Sequence, residues 1–130
     1  MRGMIAEIDH AGLPSKREDW PALSTYYQSL GLEVREVTIT DPAYDYIGEG
    51  PRLQVLVNGR LLISFFLGDH LPHVGLRMSP LGLTSARAHP AASGETHWGY
   101  SNTSVFHDPH DGASHKVELV TTNPDYHRQH

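Results

Sequence analysis

The sequence predicts an α+β chain built from two βαβββ halves, and three observations predict it. The tetrapeptide His10-Ala11-Gly12-Leu13 recurs as His73-Val74-Gly75-Leu76, and self-similarity at a distance marks a duplicated unit. Each copy opens a stretch that reads as strand, helix and further strands. Between them, two apolar runs flank Asn58-Gly59, the pair that supplies the positive φ angles of a two-residue hairpin turn.

Ile5 to Leu13 alternates and reads as a strand, with Ala6, Ile8, His10 and Gly12 on one face. Ser15-Lys16-Arg17-Glu18 has capping-box spacing, and Asp19 offers a second cap. Pro21 places the helix start near Asp19, because a proline deeper inside would remove a hydrogen bond. Trp20, Leu23, Tyr27 and Leu30 then form one stripe, and Gly31 stops the helix.

Leu32 to Thr40 is rich in β-branched residues and reads as a strand. Asp41 to Pro51, with Pro42, Gly48 and Gly50, reads as a loop. Leu53 to Val57 and Arg60 to Leu67 are the arms of the hairpin. In the second half, His73 to Met78 is a strand. Leu81 to Ala92 holds a short helix before Pro90 interferes, and Ser93-Gly94-Glu95 is a turn. Tyr100 to Phe106 and Ser114 to Val120 close the unit as a hairpin, and the chain from Thr121 onward is polar and irregular.

At 130 residues the chain fits one domain, with halves at about 1–68 and 69–122 and a tail at 123–130. A formal charge of −5 with 19% charged residues offers no basic face for nucleic acid. The absence of cysteine excludes thiolate metal sites, disulfides and cysteine nucleophiles, so any metal would be held by nitrogen and oxygen. The longest apolar run, Leu61 to Leu67, is too short to span a bilayer, and the N-terminus has no signal-peptide core. A cytoplasmic protein without membrane or nucleic-acid partners is expected.

Ten histidines are the compositional anomaly. His10 and His73 occupy matching points of the two halves, and Val117-Glu118-Leu119-Val120 sets one acid in the last strand. In that strand Lys116, Glu118 and Val120 share a face, opposite Val117 and Leu119. His73 likewise stands opposite in phase to Val74, Leu76 and Met78. The candidate metal ligands are therefore His10, His73 and Glu118; a capped surface histidine and a solvated edge glutamate are the ordinary alternative. Two imidazoles and one carboxylate form the facial arrangement of non-haem Fe(II) oxygenases, which leaves open coordination positions. Mn, Ni or Zn suit the same donors. His70 is a rival to His73 but falls in the connecting segment. His107 and His110 flank a turn and read as surface residues, Tyr44, Tyr46 and Arg52 as residues of a loop, and Trp98 as a packing residue.

The order Ile8-Asp9-His10, Tyr26-Tyr27-Gln28-Ser29-Leu30-Gly31-Leu32, His73-Val74-Gly75-Leu76 and Phe106-His107-Asp108-Pro109 leading to Val117-Glu118-Leu119 resembles the vicinal oxygen chelate superfamily. That superfamily includes glyoxalase I, extradiol dioxygenases and bleomycin-resistance proteins. The resemblance spans nearly the whole chain. It implies two βαβββ modules whose curved mixed sheet encloses a metal cleft, completed within one chain or across a homodimer or higher homo-oligomer. It also implies His10, His73 and Glu118 as ligands. Isomerase members often carry a fourth ligand where this chain has Ser64, which favours the extradiol pattern. Extradiol members usually show a tyrosine where Val105-Phe106 stand. By the same resemblance His97 or Tyr100 would serve as the catalytic acid–base or substrate contact. The function implied is an Fe(II)-dependent extradiol cleavage of a small catechol, of the kind performed on L-DOPA by single-domain enzymes, with dioxygen as co-substrate. A glyoxalase-type isomerase or lyase, or a small-molecule binding or antibiotic-resistance protein, is the alternative.

Overall fold

The computed structural model describes residues 5–39, 50–68, 70–98 and 102–121. Its strands are β1 (Ile5–Ser15), β2 (Glu33–Ile39), β3 (Gly50–Val57), β4 (Arg60–Leu67), β5 (His73–Met78), β6 (Ala92–Trp98), β7 (Asn102–His107) and β8 (Lys116–Thr121). Helix α1 (Trp20–Ser29) follows β1, and α2 (Pro80–Ala88) follows β5. The strands form one mixed curved sheet in the order β2-β3-β4-β1-β5-β8-β7-β6. Each half is thus a βαβββ unit whose first and last strands run parallel, β1 with β4 and β5 with β8. The halves join where β1 and β5 pair antiparallel within one chain.

Both helices cover the same side of the sheet. Trp20, with Leu23 and Tyr27 of α1, packs on Leu53, Val55 and Phe65. Leu83 and Ala86 of α2 pack on Met78, Val105 and Leu119. Strand alternation then turns His10, Gly12, Ser64, His73 and Glu118 to the opposite side. The β3–β4 hairpin forms as expected, with Asn58 at φ 50° and Gly59 at φ 76°. Among the described residues no helix is long and apolar enough to cross a membrane.

Several elements differ from expectation. Ser15 does not cap a helix: its hydroxyl accepts from Trp20 Nε1 and donates to the Phe66 carbonyl, tying β1 to β4 and to α1. A 3-10 turn at Arg17–Asp19 leads into α1 instead, with no side-chain cap from Asp19. Leu30 is exposed, because the helix has ended there and Gly31 at φ 85° turns the chain away. Irregularities between Ile5 and Glu7 and between Ile8 and His10 break the period of β1, so Ile8 is exposed while His10 is buried. Helix α2 ends before Pro90, as expected, and starts at Pro80, one residue ahead of Leu81. Ser93-Gly94-Glu95 is not a turn but part of edge strand β6, paired along its length with β7. Gly50 and Pro51 belong to β3 rather than a loop, as does Arg52, which stands opposite Phe66. Thr121 still belongs to β8. His107 is no free surface residue, since its Nε2–H donates to the Ala86 carbonyl at 2.8 Å.

Candidate metal centre

The ladder between β1 and β5 sets His10 opposite Gly75 and Gly12 opposite His73. The repeated histidine-x-glycine therefore serves a reciprocal packing: each imidazole lies across the glycine of the other copy. A Cβ on Gly12 would fall 2.0 Å from Cε1 of His73, and one on Gly75 would fall 2.7 Å from Cε1 of His10. Only glycine leaves room for both rings. The parallel ladder between β5 and β8 then sets Glu118 beside Gly75. Three candidate ligands from three adjacent strands meet on the face away from the helices.

Their donor atoms converge. His10 Nε2 lies 3.1 Å from His73 Nε2, and Glu118 Oε1 lies 3.5 Å from each. A divalent ion held at about 2.1 Å by nitrogen and oxygen donors separates them by roughly 3.0–3.4 Å for right-angled to tetrahedral coordination. The spacing fits such an ion. His10, His73 and Glu118 are the group among the described residues able to hold one.

Glu118 is 1% exposed, and an isolated buried carboxylate would cost several kcal/mol or more, so compensation is required. Burial pushes its pKa up, but the His10 hydrogen bond and the charges of His10 and His73, with the Ser104 hydroxyl donating to Oε2 at 2.6 Å, hold it below the ordinary value. Burial alone would lower His10; its bond to Asp9 at 2.7 Å and the Glu118 carboxylate outweigh that and raise it to about 9. His73 is lowered, first by burial and then by His10, against the pull of Glu118. These shifts favour the charged form of His10 and the neutral form of His73. A proton on His10 Nε2 would lie among the three donor atoms.

Residues beyond the triad complete its support. Asp9 is 2% exposed and reaches His10 Nδ1 with one oxygen and Arg77 with the other. Phe66 stacks on His73 at 6.2 Å between ring centroids, nearly parallel at 14°. The role of Asp9 was hidden in the sequence because strict alternation sets adjacent residues on opposite faces; only the bulge brings Asp9 beside its neighbour. Alternation puts Arg77 on the face of His73 and Phe66 on that of Ser64, but nothing in the sequence pairs Arg77 with Asp9, Ser104 with Glu118 or Phe66 with His73.

The sequence candidates are placed as follows. His10, His73 and Glu118 come together. His70 is exposed and tilted against Phe66, outside the group. Ser64 stands beside Gly12 on the same face. His97 is not brought to the triad. Its register opposite Thr103 puts it on the helix-covered face with Glu95 and Val105, where its Nε2 pairs with Glu95 at 3.0 Å and its Nδ1 with Thr103 at 3.1 Å. Its side chain is 69% exposed. Tyr100, Tyr44, Tyr46 and the tail from residue 122 lie outside the described residues.

No family model matches the chain, and no curated protein matches it in sequence. Among solved structures it is similar to 2,2',3-trihydroxybiphenyl 1,2-dioxygenase from dibenzofuran-degrading Sphingomonas wittichii strain RW1. The TM-score is 0.53 at 15% identity, over 92% of this chain and 41% of that one. The likeness is one of fold, and this chain spans about two fifths of that protein's length.

Proposed function

We propose that the chain is a metal-dependent, extradiol-type dioxygenase of the vicinal oxygen chelate superfamily, opening the ring of a small catechol. The observation that carries this reading is the convergence of His10 Nε2, His73 Nε2 and Glu118 Oε1 within 3.1–3.5 Å. The fold shared with a 2,2',3-trihydroxybiphenyl 1,2-dioxygenase supports it. Fe(II) is the metal this reading prefers, with Mn, Ni or Zn compatible with the same donors.

When bound, the ion would polarise the catechol oxygens and bring them together with dioxygen. The chain supplies the rest. Ser64, short and weakly coordinating, takes the place from which a fourth protein ligand would reach, so positions stay open for substrate. Phe66, flat against His73, fixes that ring and offers an apolar wall to an aromatic substrate. Ser104 holds Glu118 by its second oxygen, leaving Oε1 turned to the histidines. Tyr100 is the proposed substrate contact.

The test is metal analysis of anaerobically purified protein, then a catechol panel followed by oxygen electrode and by the colour of the ring-opened product. Oxygen uptake that needs both metal and catechol is expected. Bound metal without oxygen uptake across the panel would sink the dioxygenase reading in favour of an isomerase or lyase. Neither metal nor uptake would leave a binding protein.

A further inference from the structure

Asp9 and Arg77 form a buried pair that the triad alone does not require. Arg77 on β5 donates through Nε and Nη2 to Asp9 Oδ1, at 3.2 and 2.9 Å, and also bonds Glu7. The other oxygen, Oδ2, receives His10 Nδ1–H at 2.7 Å. Asp9, His10 and Arg77 are all at least nine-tenths buried, so water does not substitute for these bonds. His73 has no such support: Pro72 precedes it, no carboxylate meets its Nδ1 among the described residues, and it leans on Phe66.

We propose that Asp9 is a positioning residue: clamped by Arg77 from the other half of the sheet, it holds a proton on His10 Nδ1 and so presents Nε2 to the metal. Partners behind a ligating histidine fix its tautomer and ring orientation. The inference rests on the metal-binding part of the reading above, not on ring cleavage.

The arrangement makes an unusual demand of Asp9→Asn. Arg77 can only donate, so it would keep the amide oxygen. The amide nitrogen would then face His10 Nδ1, which must accept, and the imidazole proton would move to Nε2, where it blocks coordination. Adding Arg77→Met removes the donors that hold the amide oxygen away from His10.

The experiment titrates Zn(II) into chelator-treated protein by competition with an indicator, for wild type, Asp9→Asn, Arg77→Met and the double variant. Loss of such partners typically weakens metal binding by about 10–100-fold. Asp9→Asn should fall in that range, and the double variant should recover to within a few-fold of Arg77→Met alone. Asp9→Asn binding within about threefold of wild type, or a double variant no tighter than Asp9→Asn, overturns the proposal. Should a variant fail to fold, long-range proton–nitrogen spectra of Zn-loaded wild type decide. Coordination through His10 Nε2 with Nδ1 protonated is expected, and coordination through Nδ1, or no Zn binding at all, refutes it. If Zn binds as described and no catechol is ever cleaved, the dioxygenase reading fails while this inference stands.

Discussion

Ser64 occupies on β4 the position that Glu118 occupies on β8. Each is the parallel-ladder partner of the glycine in its own half's histidine-x-glycine, Gly12 for Ser64 and Gly75 for Glu118. The duplicated architecture thus offers two equivalent places for a last-strand ligand and fills only one with a carboxylate. Removing the hydroxyl should accordingly matter little. Ser64→Ala is expected to keep metal content near wild type, measured by elemental analysis after anaerobic purification. Substantial loss would point to a fourth ligand.

The triad itself gives the sharpest contrast. His10→Ala, His73→Ala and Glu118→Ala should each lose most bound metal, whereas His70→Ala should hold it. Removal of a ligand also leaves the buried remainder uncompensated, which costs about 3–5 kcal/mol when one member of a buried ion pair is deleted. Glu118→Ala should therefore also destabilise the metal-free protein, because the pKa of His10, raised to about 9, favours its charged form at neutral pH. With His10 protonated at neutral pH, urea midpoints should drop. An empty site in His70→Ala with a full one in His73→Ala would reverse the ligand assignment.

The glycines test the geometry without touching a donor atom. Gly12→Ala places a methyl 2.0–2.6 Å from three atoms of the His73 ring, so the ring must swing away. Overpacking of this kind costs about 1–3 kcal/mol. Metal content should fall although all three ligands remain, and Gly75→Ala should do the same through His10. Full metal retention in both variants would show that the rings do not lie across these glycines.

The pH dependence of the metal-free protein follows from three shifts. His10 is raised from 6.5 to about 9, so its contribution is complete below pH 6.5 and is lost as pH rises through about 9. His73 is lowered from 6.5, so the folded state loses ground as pH falls below that value. Glu118 is lowered from 4.5; its contribution is present above 4.5 and lost as pH falls through its folded value. These groups together favour a stability maximum near pH 6.5 for chelator-treated protein. A divalent ion replaces the His10 proton at Nε2, so metal binding tightens as pH rises. The gap in Tm between metal-loaded and chelated protein should widen from pH 6.5 to 9. A gap that narrows over this interval contradicts the assignment.

The halves, the hairpin and the triad were legible because each rests on a short-range periodicity. Histidine and glycine two apart share a strand face, and Glu118 stands out of phase with Val117 and Leu119. What escaped depends on events that interrupt a period. The bulge before His10 brings Asp9 to its side, which alternation forbids. Edge strand β6 was hidden by Ser93-Gly94, a pair that reads as a turn when no partner strand is known. His97 shows the cost of an unknown register, since a shift of one residue moves a side chain to the other face of the sheet. Its pairing with Thr103 sends it toward the helices rather than the ligands.

The seam between β1 and β5 has a kinetic consequence. His10 and His73 are 63 residues apart in the chain, and neither histidine meets the other until that ladder has closed. Long-range pairing is slow to form because loop closure must precede its rewards. A metal ion therefore finds its complete binding site only in the finished sheet. Such an ion should leave the refolding rate almost untouched and act as a brake on unfolding, so that loaded protein outlasts metal-free protein far more than it outpaces it.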